Sequence, residues 1–282
     1  MSKLPYLNLG CGSHFDERWT NVDFVSNGNG VIAHNLLEGI PFPTNYFEAV
    51  YHSHVLEHFH KKDGEQFIRE CNRVLKPGGI IRIAIPDLEK IIENYSKLLS
   101  ALKTNPNDLY LQACYDWMML EMYDQTVRNL SGGGMLEFLS QEQIINEKFV
   151  IERCGHEVGA VIDYFKEGRK ASLNNKSIKY TPTFKNRIVN LPATLKRKLI
   201  QLLLGKDIKA LNIGKFRLGG EVHLWMYDSF SLCRLLSNNG FIDVKQCDQF
   251  TSSINEWSEY ELEQLNGQLR KPDSLFIEAI KG

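Results

Sequence analysis

The sequence predicts an α/β chain whose doubly wound sheet is interrupted by a large, mostly helical insertion. Three observations predict it. Short apolar runs alternate with short helical patterns over residues 4–86, the pattern of a parallel sheet covered on both faces. Glycines stand at 10 and 12, directly after the first run, and a carboxylate, Asp23, ends the second; sheets of this kind bind ligands at their strand ends. The strand rhythm stops near residue 88 and resumes after about residue 221. The layout expected is an α/β domain from residues 1–87 and 221–282, with a helical lid or substrate region over 88–220.

Each element has its own signal. Tyr6-Leu7-Asn8-Leu9 reads as a strand stopped by Gly10, and Trp19 to Asp23 as a second. Gly30 to His34 is a weaker third, and Phe47 to His52 a fourth. From Gly64 to Leu75, the apolar residues Phe67, Ile68, Cys71, Val74 and Leu75 fall on one helical face. Pro77-Gly78-Gly79 stops that helix, and the β-branched run Ile80 to Ile85 makes a fifth strand before Pro86-Asp87. Helical patterns follow over Asp87–Leu102 and Leu109–Arg128, and Gly132-Gly133-Gly134 marks a loop or hinge. Asp228-Ser229 opens a helix that Asn239-Gly240 closes, and Phe241–Val244 and Ser274–Ala279 read as closing strands.

Composition narrows the class. At 282 residues and 43% hydrophobic, the chain can bury a real core. Its net charge of −1 argues against a nucleic-acid polycation. No run approaches the length of a membrane span, and the opening Met1-Ser2-Lys3-Leu4-Pro5 lacks the signature of a signal peptide. The six cysteines are scattered without a C-x-x-C pair, which suits free thiols in a cytoplasmic protein.

The glycine turn is the first chemical signal. Gly10 and Gly12 sit where a strand must turn tightly and admit a ligand to its backbone. A dinucleotide fingerprint would carry a third glycine where Phe15 stands and an acid some 20 residues on. Asp23 follows Gly10 by only 13 residues, so any helix between them is very short and a pyrophosphate-binding helix N-terminus is poorly supported. What remains is a turn for a compact ligand and an acid able to accept two ribose hydroxyls; the same residues also suit an ordinary tight turn.

With further motifs, the chain resembles the class I S-adenosylmethionine-dependent methyltransferases. More narrowly, it is similar to small-molecule members associated with glycan biosynthesis. The matching strings are Leu9-Gly10-Cys11-Gly12, Asn21-Val22-Asp23, Pro41-Phe42-Pro43 with Phe47-Glu48-Ala49-Val50, Ser53-His54-Val55-Leu56-Glu57-His58, and Arg73-Val74-Leu75-Lys76-Pro77-Gly78-Gly79. The likeness covers residues 4–87 and, more weakly, 221–282. It implies a Rossmann-like sheet and S-adenosylmethionine as cofactor. Leu9, Gly10, Cys11 and Gly12 would approach its methionine part, with Asp23 on the ribose and Asn35-Leu36 near the adenine. The family usually has Asp-Leu in that last place. Ser53 and His54 would lie against the methionine tail.

His52, His54, Glu57, His58 and His60 crowd into nine residues, and His54-Val-Leu-Glu57-His58 has the H-x-x-E-H form of one metalloprotease group. Such a site needs one continuous helix and a distant third ligand, for which His156, His223 or a carboxylate could serve. Since His52 closes a strand, the cluster reads instead as a helix start with local packing, and no metal is assigned. A metal-dependent hydrolase, an NAD-type oxidoreductase and a non-enzymatic module that kept the pocket stand as alternative functions.

Methyl transfer asks mainly for alignment of nucleophile, methyl and sulfur. A hydroxyl acceptor also needs a base, and histidine suits neutral pH. His223, His54 and Asp87 are candidates, with His223 and Asp87 assigned as catalytic. Trp225 and Tyr227, which alternate with His223, could stack on a sugar but read better as core. Between Lys185 and Arg217 lie nine basic residues against one acid, Asp207. The stretch 195–217 is read as a solvated lid helix, with peripheral contact to an anionic membrane as the other possibility. The expected partner is a small-molecule or glycan-precursor acceptor, such as a saccharide, methylated on oxygen, with no nucleic acid.

Overall fold

A computed structural model describes residues 3–174 and 205–282, apart from 27, 29 and 266. The strands are β1 (Tyr6–Leu9), β2 (Thr20–Asp23), β3 (Val31–Ala33), β4 (Phe47–Ser53), β5 (Leu75–Pro86), β6 (Phe241–Cys247), a hairpin of β7 (Gln264–Leu265) and β8 (Gln268–Leu269), and β9 (Ser274–Lys281). Seven of them form one sheet in the order β3-β2-β1-β4-β5-β9-β6. The order runs outward from β1 in both directions, so the sheet is doubly wound and Rossmann-like, as the sequence predicts. It is not wholly parallel. β9 runs antiparallel to both β5 and β6, with Ile80 opposite Ile280 and Phe241 opposite Lys281. The chain leaves β6, crosses one face of the sheet, and returns through the gap beside β5.

That crossing explains how the two faces are covered. On one face α1 (Lys61–Val74) buries Phe67, Ile68, Cys71 and Val74. These join Leu7, Leu9, Val50, Ile81, Ile83 and Ile277 in the main core, together with Leu232 and Leu236 of α9 (Ser229–Asn238). On the other face Trp19, Ala49 and Tyr51 pack against Ile254, Trp257, Tyr260 and Leu262 of the crossing segment. Trp19 is the centre of that layer, meeting Tyr51, Trp257 and Tyr260 edge-on at ring-centroid distances of 6.3, 6.4 and 5.2 Å. An aromatic slab therefore stands where helices are usual.

α1 starts three residues before the expected Gly64. Gly64 lies inside the helix because a Cβ there would come within 2.9 Å of the Tyr227 hydroxyl. The helix stops at Val74, and Lys76-Pro77-Gly78-Gly79 belongs to β5. α2 (Leu88–Thr104) begins on Asp87, whose carboxylate accepts from the Lys90 amide at 3.1 Å. The expected helix over 109–128 divides into α3 (Leu109–Met119), a π-helical turn (Leu120–Asp124) and α4 (Gln125–Val127). α5 (Gly133–Leu139) opens within the glycine triplet, where Asp124 accepts from the Gly134 amide at 2.7 Å. With α6 (Glu147–Cys154) and α7 (His156–Asn174), these helices build a core of their own around Ile91, Trp117, Met118, Val150 and Ile162. α8 (Ile208–Arg217) returns the chain, and Asp228 caps α9 through the Ser231 amide at 2.7 Å. Lys185, Arg187, Lys196, Arg197 and Lys198, with the helix read over Leu195–Leu204, lie outside the described residues. No helix of the described residues is long and apolar enough to cross a membrane.

A charge stands fully buried in the middle of β5. Arg82 bonds Glu263 at 2.5 Å and its cross-strand neighbour Glu278 at 2.7 Å. It also donates to the carbonyls of Asp248 and Thr251 and lies 4.4 Å over the Trp257 ring. The guanidinium thus fastens the crossing segment to the sheet. Replacing Arg82 by methionine strands two buried carboxylates, and we expect a loss of about 3–5 kcal/mol in urea unfolding. Replacing Glu263 and Glu278 by leucine as well should restore much of it.

His52 is the second buried anomaly. It is fully buried, its ring 5.1 Å from that of Phe67, and neither ring nitrogen has a hydrogen bond. Burial pushes its pKa down from 6.5 to about 4, against the pull of Glu57. The unfolded chain therefore takes up a proton that the folded chain refuses. Stability is intact above pH 6.5 and falls as pH drops toward 4, by up to about 3 kcal/mol for this residue. His52→Leu should flatten that limb of a pH series of denaturation midpoints.

Candidate active site at the carboxyl edge of the sheet

The parallel strands β1, β2 and β4 end together at one edge. Gly10 takes the turn after β1 at φ +63°, and its amide donates to Val22 O at 2.8 Å. A Cβ at Gly10 would lie 2.3 Å from Val55 Cγ2, so the glycine is required by conformation and by space. Gly12 turns again at φ +59°, and its amide donates to Asp23 Oδ2 at 2.7 Å. The acid at the end of β2 is thereby tied to the turn after β1. No helix follows before β2, so this turn offers no helix N-terminus to a pyrophosphate, which argues against the NAD alternative.

Two cavities open on this edge and share Gly10 and His54. The first, about 430 Å³, is lined by Asp23, Phe24, Val25, His34, Asn35, Leu36, Leu37, Val55, His58, Phe59 and Leu218–Gly220. The second, about 500 Å³, is lined by Asn8, Cys11, Gly12, Ser13, Tyr51, Ser53, His156, Arg270 and Lys271 among others. Gly10, Cys11, Gly12, Asp23, Asn35, Leu36, Ser53 and His54 are all brought to this paired space. Leu9 is not; it is wholly buried in the main core, one residue below the turn. Asn35 lines the first cavity, but its Oδ1 accepts from the Leu37 amide at 3.1 Å as a helix cap. Burial and the Asp23 charge push the Cys11 thiol up to about 12, so it stays protonated at neutral pH.

The two assigned catalytic residues lie elsewhere. Asp87 is buried at the head of α2, engaged by Lys90, and lines neither cavity. A carboxylate at a strand end can serve a ligand or the next helix, and here it caps the helix. His223 is also buried outside both cavities, its ring 4.9 Å from that of His58. Burial pushes its pKa down to about 3, although Glu57 pulls the other way. His58, which sequence reasoning read as packing, occupies the cavity wall in its place. Phe24, Val25 and Leu37 are exposed apolar wall residues that were also missed; their position directly after Asp23 and Asn35 was the available signal. Tyr227 joins the core as expected, whereas Trp225 is 40% exposed and carries Lys61 over its ring.

The histidine-rich strand end has an unusual backbone. His54 adopts φ +53°, an uncommon conformation for a residue with a side chain. Its Nε2 meets Ser274 Oγ at 2.9 Å and its Nδ1 lies 3.3 Å from Glu57 Oε1. The row resembles a hydrolytic relay, but Ser274 is buried and lines neither cavity, so it offers no nucleophile to a substrate. Leu56–His58 forms one 3₁₀ turn, not the continuous helix of a metalloprotease motif.

Residues 17–83 match the family model described as "Methyltransferase domain". The match agrees with the methyltransferase class and the S-adenosylmethionine cofactor that the sequence resemblance implied. No curated protein matches the chain. Among solved structures, the chain is similar to an S-adenosylmethionine-dependent methyltransferase from Archaeoglobus fulgidus, with 13% identity, 99% of this chain and 86% of that one covered, and a TM-score of 0.37. The YcgJ protein from Bacillus subtilis gives 19% identity over 34% of this chain and 53% of that one, with a TM-score of 0.26. An S-adenosylmethionine-dependent methyltransferase from Mesorhizobium loti gives 17% identity over 30% and 48%, with a TM-score of 0.24. The chain thus spans about half the length of these last two. The fold described above rests on the sheet order itself.

Gly10→Ala should add both the Val55 clash and a left-handed alanine, costing about 1–3 kcal/mol in thermal or urea unfolding. Combining it with Val55→Ala removes only the clash, so the double variant should recover part of the loss.

Proposed function

We propose that the protein is an S-adenosylmethionine-dependent methyltransferase that methylates a hydroxyl of a small acceptor, a saccharide or glycan precursor being our first choice. The observation that carries the reading is the tie between Asp23 and the Gly10–Gly12 turn at the mouth of two adjoining cavities. The residues fit the cofactor. Asp23 is placed to accept from a ribose diol, while Phe24, Leu36 and Leu37 offer an apolar wall for a purine. Gly12, Ser53, Arg270 and Lys271 offer polar and cationic groups to an amino-acid end. When bound, S-adenosylmethionine supplies an electrophilic methyl group on sulfur.

The chain's own part is then to bind and align. Holding acceptor and methyl in line can supply most of the rate, and the imidazole of His54 stands on the wall of both cavities to meet an acceptor's proton. Residues 1–87 and 221–282 would act as the cofactor-binding domain and 88–220 as the lid, with Leu218–Gly220 already on the first cavity's wall. Contact with an anionic membrane through 195–217 belongs to this proposal as a secondary possibility.

Calorimetry with S-adenosylmethionine, S-adenosylhomocysteine and NAD side by side tests it. The first two should bind and NAD should not. Asp23→Ala, which removes the acceptor of two hydroxyl bonds, should weaken both by about 10–100-fold. Binding of NAD alone, or equal binding by the variant, overturns the reading.

A further inference from the structure

The methyltransferase reading leaves one cluster unused. One ligand atom each from Glu57, His58 and His223 lies within 4.8 Å of the other two. Glu57 is almost completely buried, and neither carboxylate oxygen has a hydrogen-bond partner. A buried carboxylate without partners is costly, and a cation is the ordinary compensation.

The surroundings are those of a held ligand set. His58 directs Nδ1 to the Val222 carbonyl at 3.2 Å, a contact that fixes the ring and leaves Nε2 with its lone pair free; histidines bound to metal are oriented in this way. His54 Nδ1 sits 3.3 Å from Glu57 Oε1. The backbone completes the frame. Glu57 O accepts from the amides of Leu224 and Trp225 at 2.7 and 3.2 Å, and the His223 amide donates to Gln125 O at 2.9 Å. These bonds pin His223, distant in sequence, beside the Leu56–His58 turn.

We propose that Glu57, His58 and His223 bind a first-row divalent metal ion, with Zn²⁺ as the best-suited species. Two imidazoles and one carboxylate are a borderline-soft donor set that suits zinc, cobalt or ferrous iron over magnesium or calcium. A tetrahedral ion at about 2.1 Å from each donor places donor atoms about 3.4 Å apart, so binding draws the three side chains slightly inward. His58 also lines the first cavity, so one ligand of the set is reachable from that space. The sequence pattern His54-x-x-Glu57-His58 contributes two of the ligands. The third is His223. The site stands on these contacts whether or not the sheet edge takes S-adenosylmethionine.

The test uses the full chain, stripped with chelator, dialysed and titrated with Zn²⁺ and with Co²⁺. Elemental analysis should find one zinc per chain, and Co²⁺ should give visible ligand-field bands of a tetrahedral or five-coordinate site. His58→Ala, which changes a half-buried wall residue, should weaken zinc at least 100-fold and abolish the cobalt bands while circular dichroism stays native. Glu57→Gln should do the same; if it fails to fold, His58→Ala alone decides. His34→Ala, which alters another imidazole of the same cavity, should leave metal binding unchanged. The proposal is overturned if the native chain takes up no stoichiometric zinc. It is equally overturned if His58→Ala binds as the native chain does, which would mark the uptake as adventitious.

Discussion

Glu57 holds the functional edge together from both ends of the residue. Its carbonyl accepts two amides from the segment at 224–225, and its carboxylate sits among His54, His58 and His223. The first contact brings a distant part of the chain back to the sheet edge. The second places a buried carboxylate beside three imidazoles. Burial alone would raise the carboxyl's pKa, but the close approach of His54, with His223 and His58 nearby, brings it down to about 2. The group is therefore an anion at every physiological pH. That buried charge lies behind His58, which lines the same cavity as Asp23.

The edge is thus divided electrostatically. Asp23 stands at the glycine turn, and Glu57 is hidden behind the histidine wall. Arg270 and Lys271 border the second cavity on the opposite side of Gly10 and His54. A ligand lying across both cavities would place its neutral and diol parts in the first and an anionic end in the second. That polarity comes from the order of the strands, since it is the reversal between β2-β1 and β4 that opens the crevice.

Much of this was legible in the sequence because its signals were local. Strands β1, β2 and β5 announce themselves by apolar runs ending at glycine, aspartate or proline, and the glycine turn and Asp23 follow from strand-end chemistry alone. What was not legible depended on long-range placement. Nothing in the neighbourhood of Arg82 says that a charge in a β-branched strand will be fully buried, because its partners Glu263 and Glu278 lie nearly two hundred residues on. The aromatic slab around Trp19 has no period to read, being assembled from irregular chain. Asp87 and His223 were chosen for their places along the chain, at a strand end and at the return of the sheet pattern. Their side chains turn instead to a helix cap and to a buried cluster, and the cavity wall falls to His58, the last residue of the histidine motif.

The insertion of β9 between β5 and β6 has a consequence for how the molecule comes into being. Ile80 must find Ile280, so the central apolar strand waits for a partner two hundred residues away in sequence. Contacts that distant form late and carry a heavy loop-closure cost. Until then β5 presents an open edge of isoleucines, the kind of surface on which nascent chains pair wrongly with one another. The strands on the other side of β5, β1 to β4, find their partners among near neighbours, so the last strand is the slow step in completing the sheet.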